Sequence, residues 1–220
     1  MPRNPRLIVP GMPHHVTQRG TRRQQTFFGP GDYQAYKLLL AEWCQRRDIA
    51  IWAYCLMPNH VHLIVVPSTS DGLSSMVGQV HRRYSRMINK RMDWTGHLWQ
   101  ERFYSCVMDE AHTLSAMRYV EQNPVRSNLV KYANEWNWSS APTHLGQCRD
   151  DMVVQSSLAE RIGNWADFLS IKPSESRLNS LRTSTNKGIP AGDEKFLGML
   201  QESFGLKFSS GKRGRPRKNS

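Results

Sequence analysis

The stretch that decides the fold is Ile49-Ala50-Ile51-Trp52-Ala53-Tyr54-Cys55-Leu56, then Met57-Pro58-Asn59, then His60-Val61-His62-Leu63-Ile64-Val65-Val66-Pro67. Two runs rich in β-branched and aromatic residues flank a proline and an asparagine, residues that suit a tight turn, so the segment predicts an antiparallel hairpin. Upstream, Tyr33, Tyr36, Leu39, Leu40, Trp43 and Cys44 recur at helical spacing behind Asp32, which can cap a helix running through about Arg46. Before that, Pro13 to Gly20 alternates around His15-Val16-Thr17-Gln18 and predicts a strand.

Downstream, Leu73, Met76, Val77, Val80, Tyr84, Met87 and Ile88 define one face of a helix from Leu73 to Arg91, whose other side is basic. His97 to Met108 predicts a long strand or a bent strand pair, and Ala111 to Gln122 a third helix that Pro124 stops. The order strand, helix, strand, strand, helix, strand, helix is the split βαβ pattern. It predicts an α+β, ferredoxin-like fold: an antiparallel sheet with helices on one face and the other face free for ligand.

Beyond this core, expected over residues 1–145, the pattern weakens. Residues 146–206 read as a small helical extension in which the Ser/Thr/Asn-rich stretch Ser174 to Lys187 is a linker, and residues 207–220 as a basic tail. The 220 residues carry 30 Lys+Arg against 18 Asp+Glu, a formal charge of +12. Six positive charges and no acid lie in the last fourteen residues, so half of that surplus sits in the tail. Such an excess favours polyanions, nucleic acid ahead of an anionic membrane surface. No apolar run approaches the roughly 18 residues that a membrane span needs, and Met1 to Pro13 lacks the apolar segment of a secretory signal. The expected compartment is therefore the cytoplasm, in association with the nucleoid. Cys44, Cys55, Cys106 and Cys148 form no Cys-x-x-Cys pair and read as reduced, mostly core thiols, which disfavours a structural zinc site.

His60 and His62 lie two apart on a strand, and period two puts both imidazoles on one face, where they can share a metal ion or simply pack. On the third helix, at about 100° per residue, Leu114, Met117 and Val120 form the core stripe, while Tyr119 projects away from it beside Asn123 and Arg126. That position suits either a solvated surface tyrosine or a nucleophile. A phenol is a competent nucleophile and leaving group at a phosphodiester whose covalent intermediate must later be reversed. A divalent cation held by His60, His62 and an amide oxygen of Asn123 or Gln122 would assist it by polarising the phosphate.

Met57-Pro58-Asn59-His60-Val61-His62-Leu63, followed about 60 residues later by Arg118-Tyr119-Val120-Glu121-Gln122-Asn123-Pro124-Val125-Arg126, resembles the REP-associated tyrosine transposases of the HUH single-tyrosine endonuclease superfamily. The resemblance extends to His15-Val16-Thr17-Gln18-Arg19-Gly20, Gly96-His97-Leu98-Trp99-Gln100-Glu101-Arg102-Phe103, Trp138-Ser139-Ser140 and the terminal Arg213-Gly214-Arg215-Pro216-Arg217-Lys218. It implies a single-strand DNA endonuclease and strand transferase acting on REP-type palindromic hairpins through a 5′-phosphotyrosine, as a monomer or a homodimer. Tyr119 would be the nucleophile, and His60, His62 and Asn123 the ligands of Mg²⁺ or Mn²⁺. Related insertion-sequence enzymes carry glutamine four residues after the tyrosine; here that position is Asn123, first choice because it stacks one turn above Tyr119, with Gln122 the alternative. Arg19, Arg22, Arg23, Arg82, Arg83 and Arg86 are candidates for tracking DNA phosphates, and Arg213, Arg215 and Arg217 for entering a minor groove. A non-catalytic hairpin-binding regulator on the same scaffold is the alternative. An RNA-binding domain ranks lower, because no aromatic-rich strand motif of that kind is evident.

Overall fold

In the computed structural model, which describes residues 6–100, 102–172 and 174–205, four strands pair antiparallel: β1 (His14–Arg19), β2 (Ile49–Met57), β3 (His60–Pro67) and β4 (Tyr104–Val107). Their spatial order is β2-β3-β1-β4, so β3 slots between β1 and β2, the arrangement expected of a split βαβ unit. The hairpin turns on Pro58 and Asn59 with Met57 opposite His60. Its tip is tied down by the amides of Thr26 and Phe27, which donate to the Pro58 carbonyl, and by that of Gly20, which donates to Asn59.

Helices α1 (Pro30–Arg46) and α2 (Gly72–Met92) cover one sheet face. Val16, Ile51, Tyr54, Leu56, Val61, Leu63 and Val65 meet Tyr36, Leu40, Val77, Val80, Tyr84 and Ile88 there. Each large side chain buried in this way contributes about 1.5–3 kcal/mol. Asp32 does not cap α1 as the sequence predicts. Gly29 stands at the cap position with Pro30 at the first turn, and the Asp32 carboxylate instead accepts the Phe28 N–H at 2.7 Å and pairs with Arg91.

The chain continues through α3 (Glu110–Glu121), α4 (Asn123–Arg126), α5 (Ala141–His144), α6 (Ser157–Glu160), α7 (Trp165–Ser170), α8 (Glu175–Lys187) and α9 (Glu194–Phe204). The expectation of helices on one face only is corrected here, because α3 and α8 pack on the second face. Ala53, Cys55, Ile64 and Cys106 project there, and an apolar surface of that kind demands cover. The predicted linker is also corrected, since Glu175–Lys187 is a helix. Leu178 and Leu181 are its only buried large apolar residues, Ser174 caps it by accepting the Arg177 N–H, and Gly188 ends it at φ 66°, a conformation natural to glycine.

The predicted strand over His97 to Met108 shortens to Tyr104–Val107. Leu98, Trp99 and Phe103 are buried in the α1–α2 core from a loop, which the Gln100 amide, donating to the Arg19 carbonyl, holds against the end of β1. On the sheet's outer edge, Leu200 of α9 packs on Val9 and Val107. Among the described residues no helix is long and apolar enough to cross a membrane. The basic tail with Arg213, Arg215 and Arg217 lies outside the described residues.

Candidate active site

β3 starts at His60, and its alternation sends Val61 and Leu63 into the α1–α2 core while His60 and His62 face α3. The two imidazole centroids are 4.9 Å apart. Asp109 caps α3, its carboxylate accepting the His112 N–H, and the helix crosses the sheet so that the Tyr119 ring meets His62 edge to face, centroids 5.4 Å apart at 87°. The expectation that Tyr119 projects away from the core is overturned: its side chain is buried, with 7% exposed, whereas Leu114 is only half-buried. A helical wheel assumes one covered face. Here the sheet lies beneath α3 while α7 and α8 flank it, so burial wraps from Thr113 and Ala116 round to Tyr119, Val120 and Glu121.

Both histidines use one ring nitrogen in a local contact. His60 Nδ1 donates to Asn59 Oδ1 at 2.6 Å, and the same amide is oriented by its Nδ2 donating to the Arg23 carbonyl at 2.9 Å. His62 Nδ1 lies 3.0 Å from His15 Nε2, and His15 Nδ1 lies 2.8 Å from the Thr185 hydroxyl. Burial, reinforced by Arg19 and Arg126, lowers His60 to about 3. His62 falls well below the imidazole range for the same first reason, helped by His60, His15, Arg126 and Arg19, and burial lowers His15 to about 4. All three rings are therefore neutral at pH 7, the form in which imidazole binds a metal ion.

Positive charge surrounds the phenol. The Arg126 guanidinium is 4.1 Å from the centroid of the Tyr119 ring and that of Arg182, from α8, is 5.6 Å from it. His60, the one half-exposed member of the trio, opens this corner to solvent, and Arg19 stands directly across from it on β1.

The sequence model of the family described as "Transposase IS200 like" matches residues 9–123, which span β1 through α3 with both histidines and the tyrosine. The chain belongs to the IS200-like transposase family. Among solved structures, it is similar to a REP-associated tyrosine transposase bound to a REP hairpin, at 20% identity over 72% of this chain and 93% of that one, with a TM-score of 0.58. A transposase candidate from Deinococcus radiodurans aligns at 21% identity over 55% of this chain and 96% of that one, with a TM-score of 0.39. No curated protein matches the chain.

In this IS200-like transposase the residues present fit a divalent cation. With both Nδ1 atoms engaged, His60 and His62 each keep Nε2 for an ion. Among the described residues no three His, Cys, Asp or Glu side chains are disposed to hold one ion, so a further donor would be an amide or water. Asn123 is buried at the start of α4, its Oδ1 taking only a 3.4 Å contact from the Ser127 hydroxyl, whereas Gln122 donates Nε2 to the Leu169 carbonyl at 2.9 Å and is thereby committed to α7.

The predicted basic residues divide by face. Arg22 and Arg23 are exposed in the turn after Arg19, on the His60 side; both have positive φ, 56° and 62°. Arg82, Arg83 and Arg86 are exposed on α2, across the sheet from the histidines, and Arg83 is partly engaged with Glu42 and the Trp43 ring. Sequence reasoning missed Arg182, Thr185 and any part for His15. Alternation along β1 would have placed His15 on the face of His60 and His62, but nothing in a Ser/Thr/Asn-rich segment marks Arg182 or Thr185.

Proposed function

We propose that this chain is a single-strand DNA endonuclease and strand transferase that works at the foot of REP-type hairpins, with Tyr119 as the nucleophile. The observation that carries this reading is the convergence of a phenol on α3 with an imidazole pair on β3, Tyr119 to His62 at 5.4 Å and His62 to His60 at 4.9 Å. Support for the substrate comes from the similar fold of the transposase bound to a REP hairpin.

In the forward step the Tyr119 oxygen attacks phosphorus as its proton leaves to water. The P–O3′ bond breaks, the departing O3′ takes a proton, and a 5′-phosphotyrosine remains. A 3′-hydroxyl from another DNA end then attacks the same phosphorus and expels the phenol, so the exchange consumes no net bond. Arg126 and Arg182 neutralise the phosphate beside the ring. His60, His62 and Asn123 would hold Mg²⁺ or Mn²⁺, which would withdraw charge from the pentavalent transition state. Arg19, Arg22 and Arg23 lead the DNA backbone toward the exposed edge of His60, Arg82, Arg83 and Arg86 hold duplex on the other face of the sheet, and the tail residues Arg213, Arg215 and Arg217 add affinity for a minor groove. All of the reacting side chains come from one chain, so a monomer carries a complete set. A protein acting in this way works on chromosomal DNA, in the cytoplasm and with the nucleoid.

The test is incubation of the protein with a hairpin oligonucleotide carrying a nicked, suicide cleavage site and Mn²⁺ or Mg²⁺. A denaturation-resistant adduct that Tyr119→Phe abolishes is the expected result. The burial of Tyr119 favours the second reading, a non-catalytic hairpin-binding regulator; hairpin binding without any adduct, across hairpins drawn from the DNA flanking the gene, establishes that reading instead.

A further inference from the structure

A line of hydrogen bonds runs from the C-terminal part of the chain into the histidine pair. On α8 the Thr185 hydroxyl donates to the Leu181 carbonyl at 2.8 Å, within the same helix. With its only proton committed there, the Thr185 oxygen is an acceptor, and His15 Nδ1 at 2.8 Å must donate to it. That leaves a lone pair on His15 Nε2. Facing it at 3.0 Å is His62 Nδ1, which must then carry the hydrogen. The two rings are nearly parallel, at 11°, so the bond fixes the rotation of the His62 ring as well as its proton. Cys106, whose Sγ is 3.3 Å from the Thr185 oxygen, closes the hydroxyl off on its other side.

We propose that His15 and Thr185 are positioning residues that hold His62 as the Nδ1–H tautomer, with Nε2 bare and aimed toward the cation site. This rests on the reading of His60 and His62 as metal ligands. A free imidazole exchanges its proton between both nitrogens, and a ring carrying hydrogen on Nε2 cannot ligate there; an acceptor behind Nδ1 selects the ligating form in advance. Asn59 supplies that acceptor to His60 from the adjacent residue in the chain, but His62, deeper under α3, takes it from His15 and, through His15, from α8. The consequence is a role for residues beyond the family-matched 9–123: α8 completes the support of a ligand on β3.

The test uses the full-length, metal-free protein with ¹⁵N-labelled histidine, and multiple-bond ¹⁵N–¹H spectra at neutral pH to read the His62 tautomer. Wild type and Thr185→Ser should show hydrogen on Nδ1. Thr185→Val and His15→Phe should show a mixture or the reverse, and calorimetric titration with Mn²⁺ alone should give a dissociation constant raised about 10- to 100-fold. His15→Gln presents an amide oxygen where Nε2 stood and should restore much of both signals, which keeps the inference testable should His15→Phe fail to fold. Hydrogen on Nε2 of wild-type His62, or a tautomer unchanged in Thr185→Val, overturns the proposal. Failure of the underlying reading looks different: a wild type that binds no Mn²⁺ removes the metal assignment, and the tautomer spectra then judge the positioning by themselves.

Discussion

The Arg126 guanidinium lies over the Tyr119 ring at 4.1 Å from its centroid while Nη1 of the same side chain donates to the Tyr119 carbonyl at 2.8 Å. One arginine thus holds both the face of the phenol and the backbone that carries it. Burial lowers the Arg126 pKa, and Arg182 adds repulsion, so two cations crowd one aromatic ring, and among the described residues no acid pairs with either. That arrangement is costly in the free protein, and the phosphate of the proposed substrate would relieve it.

Arg126→Ala should therefore slow adduct formation about 100-fold, the scale of removing one group that neutralises transition-state charge, with hairpin affinity changed far less. Arg126→Lys should recover little, since an ammonium cannot stack on the ring and bond the carbonyl together. Single-turnover rates on a suicide hairpin measure this, and a rate within twofold of wild type for Arg126→Ala removes the assigned role.

Two residues past the tyrosine, Glu121 anchors the helix that carries it. Its fully buried carboxylate accepts the Ser140 hydroxyl and His144 Nδ1 on one oxygen and Trp165 Nε1 at 2.7 Å on the other, binding α3 to α5 and α7. Glu121→Gln replaces one acceptor oxygen with a donor that faces other donors, and the cost should be about 3 kcal/mol. Urea denaturation checks it; a loss below about 1 kcal/mol means that the clamp is not what holds the extension to α3.

The hairpin, α1 and α2 were legible because their apolar residues alternate or recur every turn, and because Pro58-Asn59 sits where the hairpin needs its turn. The same logic placed His60 and His62 on one face of a strand, yet misjudged how Tyr119 sits, because apolar spacing marks burial only when one face is covered. α8 was illegible for a related reason. It buries Ser184 and Thr185 beside two leucines, so its contact face is half polar and its composition mimics a linker. The loop carrying Leu98, Trp99 and Phe103 read as strand because core residues need not lie in a strand.

Acid should destabilise the fold through His14. Its Nε2 accepts the Val9 N–H at 3.1 Å while Nδ1 donates to the Met12 carbonyl at 2.8 Å, so the buried ring is held neutral. Burial, opposed in part by the Met12 carbonyl, lowers its pKa from 6.5 to about 4. The folded value is below the unfolded one, so the unfolded chain takes the proton first. The stabilisation is full above about pH 6.5 and declines by about 1.4 kcal/mol per pH unit until roughly pH 4. In metal-free buffer the stability lost between pH 7.5 and pH 5 should be about 2 kcal/mol larger in wild type than in His14→Gln, which keeps an acceptor for Val9 but cannot titrate. Equal losses in urea titrations of the two proteins exclude this account.

The choice between Asn123 and Gln122 as third ligand turns on what each amide already does. Gln122 spends its Nε2 on the Leu169 carbonyl and bridges α3 to α7; Asn123 is buried with a long 3.4 Å contact to Ser127 as its bond, leaving Oδ1 lone-pair capacity. Asn123→Ala should weaken Mn²⁺ binding about 10-fold and slow adduct formation in step, while Gln122→Ala should leave Mn²⁺ affinity unchanged and cost about 1 kcal/mol of stability from the lost bridge. Chelation by EDTA should abolish the adduct in every variant, and re-addition of Mn²⁺ at higher concentration should restore it in Asn123→Ala, because removal of one donor of three lowers affinity without removing the site. Calorimetric titration of both variants decides the matter: affinity lost in Gln122→Ala and kept in Asn123→Ala would transfer the ligand role to the glutamine and require α3 to release α7 when the ion binds.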